Sequence, residues 1–186
     1  MRVEEKGKGY LKIVPRKKVD LTRFFDSADL GMNIEDWEEF ERRFYEQMRF
    51  LDANVFIYAY YKPKRELTEK EKQMKEHAKE IIRRINDGEE VITTVVHLSE
   101  VANILKRALS MEDLYSLLIG LFSMDNVKIV DVTSEDYFGA VELMSELKMD
   151  PNDCLAVSVM RRENINEIYS FDKGFDGVAG IIRIMK

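Results

Sequence analysis

Four carboxylates stand where alternating strands and helices would bring polar groups together. Asp52 follows the apolar pair Phe50-Leu51 and precedes Ala53-Asn54-Val55-Phe56-Ile57. Glu100 lies in His97-Leu98-Ser99-Glu100-Val101, Asp153 in the first turn of a helix opened by Asp150-Pro151, and Asp172 at the end of an apolar run, with Asp176 four residues on. Carboxylates about 4 Å apart repel by on the order of 4 kcal/mol per pair at an effective dielectric near 20. If these side chains converge, they demand a counter-ion. With 2 His and 1 Cys in the chain there is no imidazole or thiolate cluster beside them, and an oxygen-only donor set favours Mg2+ or Mn2+ over zinc.

Each acid also has a structural explanation. Asp150 and Asp153 fit an N-cap and its N3 partner around a proline at N1, and Asp172 and Asp176 fit turn positions. Glu100 lies off the stripe Leu98, Val101, Ala102, Leu105 and Leu109, so it faces either solvent or a cleft. Asp52 resists dismissal, because its neighbours are strongly apolar and a buried acid has a partner or a task.

The elements that position these acids follow from apolar spacing. A short strand leads into Asp52, and an aromatic-rich stretch continues from it to Pro63. The pattern then predicts a helix over 66–86, a strand over 91–93, helices over 95–109 and 111–123, a strand over 127–130, helices over 134–148 and from Asp150-Pro151 to about 162, and strands over 168–171 and 181–184. Strands separated by helices predict right-handed crossovers and a mainly parallel sheet covered on both faces, an α/β three-layer α/β/α sandwich. In such a sheet the binding crevice lies beyond the carboxyl ends of the strands, where these acids fall.

The 186 residues, 45% hydrophobic and 34% charged, have the balance of a soluble globular protein, and 29 basic against 35 acidic side chains provide no overall basic field. A single cysteine excludes an internal disulfide, no apolar stretch approaches the roughly 20 residues of a membrane span, and the N-terminus lacks a signal-peptide core. These features predict a reducing, cytoplasmic setting and no membrane partner.

From residue 48 onward the sequence resembles a PIN domain, the nuclease fold of the VapC toxins of VapBC toxin–antitoxin pairs. The resemblance rests on Phe50-Leu51-Asp52-Ala53-Asn54-Val55, Ser99-Glu100-Val101, Asn152-Asp153-Cys154-Leu155-Ala156 and Tyr169-Ser170-Phe171-Asp172-Lys173-Gly174-Phe175, four motifs in the family's order. It implies that Asp52, Glu100, Asp153 and Asp172 are catalytic acids holding Mg2+ or Mn2+, with Asn54 as a neighbouring polar helper. Many relatives carry a further acid where this chain has Gly174, which leaves Asp176 as the auxiliary acid. The implied reaction is endoribonucleolytic hydrolysis of RNA, whether tRNA, rRNA or mRNA, by a homodimer. Two other readings stay open: a catalytically silent PIN-like assembly or regulatory module, and a PIN RNA-processing nuclease outside toxin systems.

Residues 1–47 differ in character from 48–186, and the domain boundary is placed between them. Residues 1–18 hold seven Lys/Arg and two Glu, whereas 20–46 hold nine Asp/Glu and three Arg. Gly7-Lys8-Gly9 and the run from Tyr10 to Val14 read as a turn and strand stopped by Pro15, followed by a basic linker. Trp37, Phe40 and Phe44, at i, i+3 and i+7, predict an amphipathic helix over 34–47. This segment resembles the C-terminal half of an AbrB-type VapB antitoxin. The resemblance implies that Arg23, Arg42 or Arg43 enters the acidic pocket as an inhibitor, in cis or by exchange between chains. The first half of the DNA-binding fold is missing, so independent operator-DNA binding is not expected. A helix that simply completes the core is the structural alternative.

Overall fold

Runs of three or four apolar residues that are buried on both sides suit the interior strands of a parallel sheet. The computed structural model, which describes residues 2–6, 10–14, 48–60 and 65–185, has such a sheet. The chain divides into two compact units, residues 1–39 and 40–186. In the first, β1 (Arg2–Lys6) pairs antiparallel with β2 (Tyr10–Val14), with Arg2 opposite Val14 and Lys6 opposite Tyr10. The expected linker, the helix over 34–47 and the inhibitory candidates Arg23, Arg42 and Arg43 lie outside the described residues.

The second unit is built on β3 (Arg49–Leu51), β4 (Val91–Thr94), β5 (Val127–Val130), β6 (Glu167–Tyr169) and β7 (Ile182–Ile184). They form one all-parallel sheet in the order β5-β4-β3-β6-β7. The chain runs outward from β3 through β4 to β5 and then returns to the other side of β3, so the strand order reverses between β3 and β6. Such a reversal opens a crevice at the carboxyl edge.

Helices α1 (Ala53–Tyr60), α2 (Glu69–Asn86), α3 (Val95–Leu105) and α4 (Met111–Ser123) bury Phe56, Ile81, Val101 and Leu121 in one core cluster with Leu51 and Val91. Helices α5 (Ser134–Leu147) and α6 (Pro151–Arg162) bury Ala140, Leu155 and Met160 in a second cluster with Phe50, Ile92 and Ile168. The two clusters use alternate residues of the same strands, so the sheet is the middle of three layers, as expected. No described helix is long and apolar enough to cross a membrane.

Two boundaries bear on the site. The aromatic-rich stretch after Asp52 is helix α1, because Ala53, Phe56 and Ala59, spaced by three, are buried together on the core. That burial outweighs the strand preference of its Val, Ile and Tyr residues. Strand β6 ends at Tyr169 rather than at 171: Ser170 N–H still donates to the Ile184 carbonyl at 3.3 Å, but side chains take the two amides beyond it, Phe171 N–H donating to Asn54 Oδ1 at 3.1 Å and Asp172 N–H to Ser170 Oγ at 3.0 Å.

Candidate active site

Asp52 leaves β3 at the strand reversal. Its N–H donates to the Tyr169 carbonyl at 3.1 Å, continuing the β3–β6 ladder by one bond, and Val55 N–H returns to the Asp52 carbonyl at 3.2 Å to start α1. The side chain is 5% exposed. Two donors meet at its Oδ2, Ser170 Oγ at 2.6 Å and Asn54 Nδ2 at 2.5 Å. Asn54 Nδ2 also donates to Ser170 Oγ at 3.0 Å. Ser170 thus gives its one proton to Asp52 and accepts from Asn54 and from Asp172 N–H, the full capacity of a hydroxyl. Its sequence position looks like ordinary strand filling, yet it is fully buried and ties β6 to the first acid.

Asp172, exposed, caps the 3-10 turn Lys173–Gly177, its Oδ1 accepting Gly174 N–H at 2.7 Å. A β-carbon at Gly174 would lie 3.3 Å from that same oxygen, so a side chain there would border Asp172. Asp153 occupies N3 of α6, whose cap is Asp150: the Asp150 carboxylate accepts Asn152 N–H at 2.8 Å and Asp153 N–H at 3.1 Å. The capping explanation therefore holds for Asp150. Glu100 comes from α3, on the other helical layer, and its Oε2 accepts from Asn152 Nδ2 at 2.9 Å.

Electrostatics tie the four acids together. Burial pushes the Asp52 carboxyl up to about 6, Ser170 and Asn54 pull it down, and the charges of Glu100 and Asp172 push it further up. Asp153 is pushed up to about 8, first by burial and then by the charges of Asp150, Asp52 and Asp172. Both acids thus sit where a negative charge is unwelcome without a counter-charge. Among the described residues, no three acid, histidine or cysteine side chains stand close enough to enclose one cation. His97 is buried at the start of α3: burial lowers its imidazole to about 4, so the ring is neutral, Nδ1 lies 2.8 Å from Thr94 Oγ1, Nε2 has no hydrogen-bond partner among the described residues, and the ring stands edge-on to Phe50.

Asp176 is not brought into this group. Both its oxygens pair with Arg183, Nε at 2.7 Å and Nη2 at 2.8 Å, and that guanidinium holds its carboxyl below the usual range.

The family model of the PIN domain matches residues 49–181, well over half the chain. The chain belongs to the PIN domain family. Among solved structures, VapC20 of Mycobacterium tuberculosis, a toxin that cleaves the sarcin-ricin loop, aligns with a TM-score of 0.55 and 22% identity over 73% of this chain and 96% of its own. VapBC2 from Rickettsia felis, bound to a DNA fragment from its promoter, aligns at 0.51 with 19% identity over 74% and 97%. A toxin–antitoxin complex from Klebsiella pneumoniae aligns at 0.50 with 13% identity over 72% and 95%. At these identities the likeness is one of fold. No curated protein sequence matches the chain. The family model begins at residue 49, and the antitoxin-like reading of the residues before it gains no support from the comparisons.

Several polar side chains of this PIN domain are engaged away from the acids. Arg83 pairs with Glu80 and Arg162 with Asp136, while Arg84 lies over the Tyr169 ring at 5.2 Å. Tyr58 packs edge-on against Phe171, with ring centroids 5.0 Å apart, in a core role rather than as a free stacking platform. Lys173, exposed and next to Asp172, is the basic side chain nearest the acids in sequence.

Proposed function

We propose that this PIN domain is a divalent-metal-dependent endoribonuclease of the toxin–antitoxin type. The observation that carries the reading is the buried Asp52, locked by Ser170 and Asn54 at the strand reversal and acted on by the charges of Glu100 and Asp172, with Asp153 alongside at the start of α6. Likeness in fold to VapC20 and VapBC2 supports the choice of RNA as substrate and an antitoxin as partner. A second copy of the chain, forming a homodimer, completes the assembly.

The donor chemistry fits Mg2+ or Mn2+: the groups whose charges act on one another are all carboxylates, and two of them are held above their ordinary titration range by burial and by neighbouring acid charges. Asp52, Glu100, Asp153 and Asp172 would hold the cation. When bound there it would activate water for in-line attack on phosphorus and stabilise charge on the leaving oxygen. The chain's own part is orientation and protonation. Ser170 and Asn54 fix one oxygen of Asp52, which leaves Oδ1 with a single long contact, 3.4 Å from Asn54 N. Asp153, titrating at about 8, holds a proton at neutral pH until a counter-charge displaces it. Lys173, beside Asp172, provides positive charge for the substrate backbone.

Residues 1–47 are proposed to restrain this activity through a basic side chain, Arg23, Arg42 or Arg43, a reading that rests on the sequence alone. Four proteins test the whole proposal with total tRNA and rRNA plus Mn2+: the full chain, a version starting at Met48, and Asp52→Asn in each. Cleavage by the shorter version alone, lost on Asp52→Asn, supports a self-restrained nuclease. Cleavage by both lengths keeps the nuclease, removes the restraint and favours RNA processing outside toxin systems. No cleavage by any form favours a catalytically silent module.

A further inference from the structure

We propose that Asn152 is a positioning residue that holds Glu100 at the acid pocket, with the Tyr137 hydroxyl engaging the other end of its amide. The inference rests on the nuclease reading above and assigns a role to two side chains outside the acid set.

Glu100 and Asn152 come from opposite layers of the sandwich. Glu100 projects from α3, which packs in the cluster with Leu51, and Asn152 from α6, which packs in the cluster with Phe50. They meet beyond the carboxyl edge of the sheet, where Asn152 Nδ2 lies 2.9 Å from Glu100 Oε2. This is the one side-chain hydrogen bond Glu100 makes among the described residues. A glutamate has three rotatable bonds and, untethered, spreads over many rotamers. Asn152 itself is well anchored: it is the second residue of α6, its N–H held by Asp150 at 2.8 Å. Its amide also has a defined sense. A carboxylate can only accept, so the nitrogen faces Glu100 and the oxygen faces Tyr137, whose hydroxyl donates at 3.2 Å from α5. The relay Tyr137–Asn152–Glu100 thus carries the orientation of a rigid helix N-terminus to a flexible acid 52 positions away in sequence. Groups of this kind, one bond removed from a ligand, change metal affinity by about 10–100-fold when removed.

The test is Mn2+ titration of the full chain by electron paramagnetic resonance, with Asn152→Ala, Glu100→Gln, the double variant and Tyr137→Phe. Asn152→Ala is expected to weaken Mn2+ binding about tenfold and Tyr137→Phe by a smaller factor. The double variant is expected to bind as Glu100→Gln alone does, because Asn152 acts only through Glu100. The side-chain amide resonance of Asn152 is expected to shift on Glu100→Gln in metal-free protein. An equal loss from Asn152→Ala in both backgrounds marks a general structural effect and overturns the role, as does an unmoved amide resonance. Wild-type uptake that is indifferent to Asn152→Ala overturns this role alone. A wild type that takes up no Mn2+, either as the full chain or as the version starting at Met48, overturns the nuclease reading and this role with it.

Discussion

Replacing Asp52 by Asn keeps the shape of the site and removes its most buried charge, so its effect on stability has a calculable pH dependence. In the folded chain the Asp52 carboxyl titrates at about 6 against an ordinary 3.8, with burial as the largest cause. At about 1.36 kcal/mol per unit, that difference is worth about 3 kcal/mol. The native state binds the proton more tightly than the unfolded chain does. The stabilisation associated with that proton is therefore complete below 3.8 and lost as pH rises through about 6. The amide in the Asp52→Asn variant would not titrate. Its oxygen can still accept from Ser170 and Asn54, but its NH2 would face Asn54 N–H, a mismatch costing about 1 kcal/mol. In chelator, urea unfolding of the full chain should therefore find the variant about 0.5 kcal/mol less stable at pH 4 and about 2 kcal/mol more stable at pH 7.5. Added Mn2+ should then raise the midpoint of the wild type but not of the variant. Parallel stability profiles for the two proteins, with no crossing between pH 4 and 7.5, would refute the reasoning, because Asp52 would then not be charged at a cost.

Three further outcomes follow from the same contacts. Because Asp153 is held up to about 8, Mn2+ binding at pH 7 should release about one proton per chain, read as a buffer-dependent heat in calorimetry, and the release should fade by pH 9. Ser170→Ala removes the donor to Asp52 and the acceptor for Asn54 and Asp172 N–H; it should cost about 1–3 kcal/mol in unfolding and weaken Mn2+ binding. Asp176→Asn should lower the urea unfolding midpoint, because the Arg183 side chain, 7% exposed, loses its charge partner. Mn2+ affinity should stay unchanged in that variant, since Arg183 takes both oxygens of Asp176.

What the residues disclosed depended on how local the signal was. Helix α4 and strand β5 begin and end where apolar spacing places them, since that signal lies within one element. Asp52 was legible because an acid inside a run of Phe, Leu, Val and Ile has no cheap local explanation. Ser170, Asn152 and Tyr137 were not, because their partners are set by tertiary packing: Ser170 reaches Asp52 across 118 positions and Asn152 reaches Glu100 across 52. Asp176 failed to join the acids for a similar reason. The strand return of β7 sets Arg183 against it, and a bidentate ion pair takes both its oxygens. The acid pair around Pro151 divided its two explanations, Asp150 serving as the cap and Asp153 facing the other acids.

The most direct measurement is an anomalous-scattering map from crystals of the full chain grown with Mn2+. The account expects a peak at the carboxyl edge of the sheet, bounded by Asp52 and by oxygens of Asp153, Asp172 or Glu100, and absent from Asp52→Asn crystals. A map with no peak between these side chains in either the full chain or the version starting at Met48, or with a peak that persists in the variant, would contradict it.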